Sequence, residues 1–297
     1  MMCKNPYMKN ENGITKSARD WSFEARIAGT PFPCGQCLHC RINKARTWTL
    51  RIVLESLMHK ESSFWTLTYE DEKCPVIFKK DGTYDYTLKP IHMQAWMKSI
   101  RSKIAPEKIR FFGVGEYGDK TERPHYHVIL FGMSTLQAAK LSNTWKHGYV
   151  HIGEINQDSA RYISGYVTKK LDKNNPQLGG RCPEYMRSSR KPGIGKPAVK
   201  SIAEAFKRYN KWDGRIVREL NLGKKTYPLG RYLTAKIAEE MGITQKQATK
   251  EFMEYSEELH EKHGTGCLAV ENILQDNKQR RLKQEKRQHL FFKKGCN

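Results

Sequence analysis

The chain is short of negative charge. Its 297 residues carry 53 Lys and Arg against 31 Asp and Glu, a formal charge of +22, beyond what solubility asks of a domain this size. That imbalance argues for an anionic partner. Nucleic acid leads, because phosphate contacts from Lys and Arg release counterions and supply most sequence-independent affinity. Long apolar runs are missing too: nothing approaches the roughly 20 residues of a membrane helix, and the opening MMCKNPYMKNENG lacks the apolar core of a secretory signal. No lipid signal or strongly amphipathic basic helix dominates. The expectation is a soluble, intracellular protein with no membrane partner. A phosphate loop of the form G-x-x-x-x-G-K-S/T is also absent.

Cysteine is sparse but clustered. Three of the eight cysteines fall in PCGQCLHC as Cys34, Cys37 and Cys40, a C-x2-C-x2-C triple expected by chance about 0.006 times. In a reducing compartment such spacing fits metal ligation better than a disulfide framework. A tetrahedral zinc site needs a fourth ligand, and Cys3, on an arm able to fold back, ranks ahead of His39. A cysteine-rich turn without metal and an iron–sulfur site are the alternatives. The knuckle leads into a helix read over residues 41–60, with Trp48, Ile52 and Leu57 on one side and Arg41, Lys44, Arg46 and Arg51 around the rest. Those basic residues face either phosphate or water.

Residues 63–69 read as a strand, 88–104 as a helix with Ile91, Ala95, Met97 and Ile100 inward, and 108–118 and 123–132 as hairpin strands. A helix over 134–148, a strand over 148–155 and a helix over 159–171 capped by Ser159 follow. Adjacent hairpin strands among helices predict an α+β fold with helices on an antiparallel sheet.

RPHYHVILFG, residues 123–132, places His125 and His127 two apart. Chance alone supplies about 0.34 such pairs, so the strand context must carry the argument. In a strand both rings point to one face and can share a divalent cation. Glu116, across the hairpin, would complete a two-histidine, one-carboxylate set with open positions; Glu122, closer in sequence, lies in the turn. His147 and His151 are too far apart on a strand to chelate jointly. In RYISGYVTKKL, Tyr162 and Tyr166 stack at i and i+4 on a helix, with Lys169 and Lys170 within a turn. Core packing alone would also explain that tyrosine spacing.

FWTLTYED, RPHYHVILFG and RYISGYVTKKL resemble the three ordered motifs of HUH endonucleases of the two-tyrosine rolling-circle type. The cysteine arm and RSSRKPGIGK resemble replication initiators of gokushovirus-like single-stranded DNA microviruses, so that the likeness spans roughly residues 1–235. The resemblance implies a ferredoxin-like antiparallel palm and a Mg²⁺ or Mn²⁺ ion on His125, His127 and Glu116. It implies Tyr162 and Tyr166 as nucleophiles that nick one DNA strand through a 5′-phosphotyrosine. Lys169 and Lys170 would assist. Arg41, Lys44, Arg46, Arg187, Arg190 and Lys191 would meet DNA, single-stranded or replicative-form, in the host bacterial cytoplasm. Unwinding and synthesis would fall to a host helicase and DNA polymerase.

The expected organisation is a cysteine-rich arm over 1–44, a nuclease domain over 45–172, a basic Gly/Pro-rich loop segment over 173–230, and a helical region with a basic tail over 231–297. Two other readings compete: a non-catalytic nucleic-acid-binding module built on a zinc knuckle, and a metal-dependent phosphoesterase. The first predicts steeply salt-dependent binding without cleavage, the second turnover without a covalent adduct.

Overall fold

The computed structural model describes residues 3, 6–9, 15–17, 30–118, 121–166, 178–208 and 216–294. Strands β1 (Tyr7–Lys9), β2 (Thr15–Ser17) and β3 (Thr30–Phe32) make a small antiparallel sheet. Helix α1 (Leu38–Ser56) follows the cysteine triple at once, starting three residues before the expected onset and taking Cys40 into its first turn.

The central sheet contains β4 (Ser62–Tyr69), β7 (Arg110–Tyr117), β8 (Pro124–Phe131), β9 (Gly148–Glu154) and β10 (Tyr185–Ser188), in the order β10-β7-β8-β4-β9 with every pair antiparallel. Alternation sorts its side chains. Trp65, Leu67, Tyr126, Val128 and Leu130 face one way and pack with Met93, Trp96, Met97 and Ile100 of α2 (Pro90–Ile104). Phe64, Phe112, Val114, Ile129 and Phe131 face the other way, against Ile52 of α1 and Ala160 and Ile163 of α4 (Gln157–Gly165). Covering both faces explains why VILF reads as an unbroken apolar run. Each such side chain stabilises the fold by about 1.5–3 kcal/mol.

A second core forms where α1 presents Leu50 and Leu54 to α5 (Val199–Arg208), to the hairpin β11 (Glu219–Leu222) and β12 (Lys225–Pro228), and to Leu233, Ile237 and Met241 of α6 (Gly230–Met241). Helix α1 is thus a wall between two cores. The wall is tied by Glu55, fully buried, which pairs with Arg110 of β7 and accepts from the Gly195 N–H at 2.6 Å. Helices α7 (Gln245–His263), α8 (Gly266–Asp276) and α9 (Lys278–Lys294) complete the chain. The α+β expectation therefore holds, with an antiparallel sheet flanked by helices, an N-terminal cysteine cluster and a helical C-terminus.

Several local expectations need correction. Leu57 lies past the end of α1 and is 70% exposed, because burial on two sides of that helix spreads its apolar positions beyond one stripe. In α2, Ile91 and Ala95 are exposed, and Met93 and Trp96 take their places in the core. Helix α3 (Thr135–Lys140) is far shorter than 134–148 and gives way to a 3₁₀ turn over Ser142–Thr144. Asn156, not Ser159, caps α4, while the Ser159 hydroxyl donates back to Asn156 in a reciprocal box. A hairpin of β5 (Val76–Phe78) and β6 (Tyr84–Tyr86) had no counterpart in the sequence reading. The segment read as a long loop contributes β10 to the main sheet. Among the described residues, no helix is long and apolar enough to cross a membrane.

Candidate active site

Register builds the first half of the site. Glu116 of β7 stands directly opposite His125 of β8, and His127 is opposite Val114 on one side and Thr66 of β4 on the other. Residues two apart share a face, so Glu116, both histidines and Thr66 all project to the side covered by α1 and α4. The His127 Nε2 lies 2.7 Å from Glu116 Oε1 and its Nδ1 lies 3.0 Å from the Thr66 hydroxyl. Both Glu116 and His127 are buried. Thr66 is the functional residue the sequence reading missed; its signal was its place in the alternation of FWTLTYE, on the face of Phe64 and Thr68. Its hydroxyl can donate or accept, so it supports either tautomer of His127.

Tyr126 points the opposite way. Fully buried, it hydrogen-bonds the Tyr69 hydroxyl at 2.8 Å and both the N–H and carbonyl of Lys89 at 3.0 Å, anchoring β8 to the start of α2. Burial pushes its phenol up to about 12.

Helix α4 supplies the second half. Ala160 and Ile163 bury into the core and leave Tyr162 and Tyr166, one turn apart, over the histidine. The Tyr166 ring lies parallel to His127, with centroids 5.2 Å apart and planes at 6°; Tyr162 meets His127 edge-on at 5.5 Å and Tyr166 at 5.0 Å. Burial, the Glu116 carboxylate and the Tyr162 hydroxyl hold the Tyr166 phenol above its ordinary range. Tyr162 is 42% exposed, so one phenol is enclosed and the other reaches solvent. Burial and the neighbouring His127 keep the His125 imidazole below its usual value, which favours the neutral, ligand-competent ring.

These residues suit a hard or borderline divalent cation: one carboxylate and two imidazoles on adjacent strands, with the Glu116–His127 proton at the point where a cation would compete. They are not as tightly gathered as the cysteines. Among the described residues, Cys3, Cys34, Cys37 and Cys40 are the group of three or more potential ligands whose donor atoms all lie within 4.8 Å of one another. Glu122, the alternative third ligand, accepts a hydrogen bond from Arg181 at 2.6 Å instead. Lys169 and Lys170 lie outside the described residues.

In the cysteine cluster, Cys37 and Cys3 sulfurs are 3.8 Å apart and those of Cys34 and Cys40 are 3.9 Å apart. A tetrahedral ion with metal–sulfur bonds of about 2.3 Å requires an edge of about 3.8 Å, whereas a disulfide requires about 2.05 Å. Backbone N–H groups of Cys34, Gln36 and Cys37 point at sulfurs at 3.2–3.4 Å. Burial pushes the Cys34 thiol up, and the Cys3 thiol does the same to Cys40, as expected of neutral thiols crowded together without a cation. The cluster could hold a metal such as zinc. His39 takes no part: its ring is buried against α9, with Nδ1 2.8 Å from Gln284 and Nε2 3.2 Å from Glu285.

The basic residues divide. Lys44, Arg187, Arg190 and Lys191 are exposed. Arg46 donates to the Thr226 carbonyl and leans on Tyr227, and Arg51 lies between Trp48 and Tyr232 at 4.1 and 4.8 Å. These two secure α1 to the second core. His147 stacks on His92 at 4.1 Å, while His151 lies exposed on β9.

Fold and site together define an α+β protein whose antiparallel sheet carries a histidine–carboxylate pair capped by a helix bearing two tyrosines. Residues 62–171, which contain every member of that pair and helix, match the family model of the ORF2-type replication-associated proteins. Over 222 residues the chain is 32% identical to replication-associated protein VP4 of Bdellovibrio phage phiMH2K, covering 69% of each. It is 29% identical over 233 residues to replication-associated protein ORF2 of Spiroplasma virus 4, covering 72% of this chain and 70% of that one. A 163-residue match at 29% identity to replication-associated protein ORF4 of Chlamydia phage 1 covers 48% and 39%. The chain belongs to this family of phage replication-associated proteins, the microvirus-like rolling-circle initiators. No solved structure matches it.

Proposed function

We propose that the chain starts phage DNA replication by nicking and rejoining a single DNA strand at the His–Glu–Tyr site. One observation carries this: the Tyr166 ring lies flat against His127 while His127 is bound to Glu116, so nucleophile and ligand residues from separate elements meet at one point. A phenol oxygen, from Tyr162 or Tyr166, attacks the scissile phosphorus as the bond to the 3′ oxygen breaks. The phenol proton leaves to a base, and the departing 3′ oxygen takes up a proton to become a hydroxyl. The 5′ end is left as a phosphotyrosine ester, and reversal by a free 3′ hydroxyl rejoins the strand. His125, His127 and Glu116 are the residues that would hold Mg²⁺ or Mn²⁺. The ion supplies charge stabilisation at the phosphate.

The tyrosines share the labour unequally. Solvent-facing Tyr162 is the more accessible to an incoming strand, and enclosed Tyr166 is held against the ligand residues. One can retain a DNA end while the other attacks. Lys169 and Lys170 would stabilise charge at the phosphate, and Arg41, Lys44, Arg187, Arg190 and Lys191 supply phosphate contacts. Single-stranded and replicative-form DNA are the substrates in the host cytoplasm, and a host helicase and polymerase complete replication. The cysteine quartet holds a structural zinc. The deciding experiment incubates protein, divalent cation and single-stranded origin oligonucleotides. A covalent adduct that maps to Tyr162 or Tyr166 is the expected product; turnover without an adduct would favour a phosphoesterase.

A further inference from the structure

We infer that the exposed edge strand β9 is a base-stacking track for single-stranded DNA, with Tyr149 as its platform and a positioning residue for the neighbouring site. This rests on the nickase reading for its substrate. Tyr149 is opposite Thr68, which is opposite His125, which is opposite Glu116; His151 is opposite Thr66, which is opposite His127. Tyr149 and His151 therefore continue the two cross-strand rows that carry the site, on the same face. Two strand spacings, roughly 10 Å, separate them from the histidines.

That face of β9 is open. Tyr149 is 70% exposed, His151 is exposed, and a side chain at Gly153 would meet no atom within 4 Å. The reverse face is fixed, because Val150 and Ile152 pack against the main core. The result is a rigid strand that presents an aromatic ring beside the reaction centre. Charge selects the occupant. Exposed Lys146 precedes the strand and the chain carries +22 overall, so a polyanion with flat faces fits better than an apolar peptide. Stacking on aromatic side chains between phosphate contacts is how proteins hold single strands without reading sequence.

The test uses the full chain with Tyr162→Phe and Tyr166→Phe, which binds but forms no adduct, and oligonucleotides carrying 2-aminopurine at successive positions around the nick. One position should show quenched fluorescence that Tyr149→Leu abolishes and Tyr149→Phe, which keeps the ring, preserves. In the otherwise unchanged protein, Tyr149→Leu should raise KM for nicking roughly 5- to 100-fold, the equivalent of losing one stacked base, with kcat retained. Quenching that is the same at every position in both residue-149 variants would overturn the platform. Quenching that depends on residue 149, in a protein that never forms an adduct, would keep the platform and remove the nickase. An adduct with no such dependence would do the reverse.

Discussion

The rings of His127 and Tyr166 lie parallel with their centroids 5.2 Å apart, although one belongs to strand β8 and the other to the end of α4. Neither residue's own element dictates that contact; Ala160 and Ile163 do, by docking α4 onto Phe64 and Ile129. If the phenols are nucleophiles, Tyr162→Phe and Tyr166→Phe should each leave the thermal midpoint nearly unchanged, since only a hydroxyl is removed. The double variant should form no adduct, and at least one single variant should nick yet fail to release circles. An adduct from the double variant, located by mass spectrometry on another residue, would refute the assignment.

Replacing His125 and His127 together by Ala should reduce nicking by at least ~10²-fold. DNA affinity and its steep salt dependence should persist, because the basic surface supplies them. Gel shifts across a salt series, run beside the cleavage assay, separate the two effects. Nicking at the original rate would show that neither ring serves the reaction.

How much of this was legible depends on the range of the interaction. The Glu116–His125 pairing could be read because a period of two and a short hairpin turn determine it, and both tyrosines could be read because helical spacing places them on one face. Cys3 was found by counting zinc's ligands, since no spacing connects it to Cys34. Leu57 was misplaced because α1 is buried on two sides, and its second partner, α6, begins at Gly230, far along the chain. The β5–β6 hairpin had a signal that went unused, Asp81–Gly82 between VIF and YDY. Strand β10 had almost none, because YMRS joins an edge and owes its place to β7.

The cysteine quartet makes a prediction of its own. Purified protein should contain about one tightly held zinc per chain. A strong chelator should lower the thermal midpoint and speed amide exchange first near residues 34–40. Because His39 lies between two of the cysteines and binds Gln284, exchange in α9 should rise with it. Metal-free protein with an unchanged melt after chelation would leave the quartet as packed thiols.

Glu55 joins two cores through one buried carboxylate. Glu55→Ala leaves Arg110 and the Gly195 N–H without their partner, and should cost about 3–5 kcal/mol of stability, as when one member of a buried pair is removed. Denaturant unfolding measures this directly. A loss under about 1 kcal/mol would mean that water replaces the carboxylate.

Tyr126 supplies a control of identical chemistry and opposite outcome. Tyr126→Phe removes a hydroxyl bonded to Tyr69 and to both backbone groups of Lys89, leaving the Lys89 N–H and the buried Tyr69 phenol short of a partner. Such a loss costs about 1–3 kcal/mol. The ring still fills its place in the core, so register, and with it the Glu116–His125 pairing, should survive. Stability should therefore fall while adduct formation at low temperature stays close to that of the parent. The tyrosines of α4 should show the reverse, chemistry lost and stability kept. If Tyr126→Phe also stops adduct formation in a protein shown by circular dichroism to be folded, then its anchoring of β8 reaches the reaction centre, and the two faces of the sheet do not act independently.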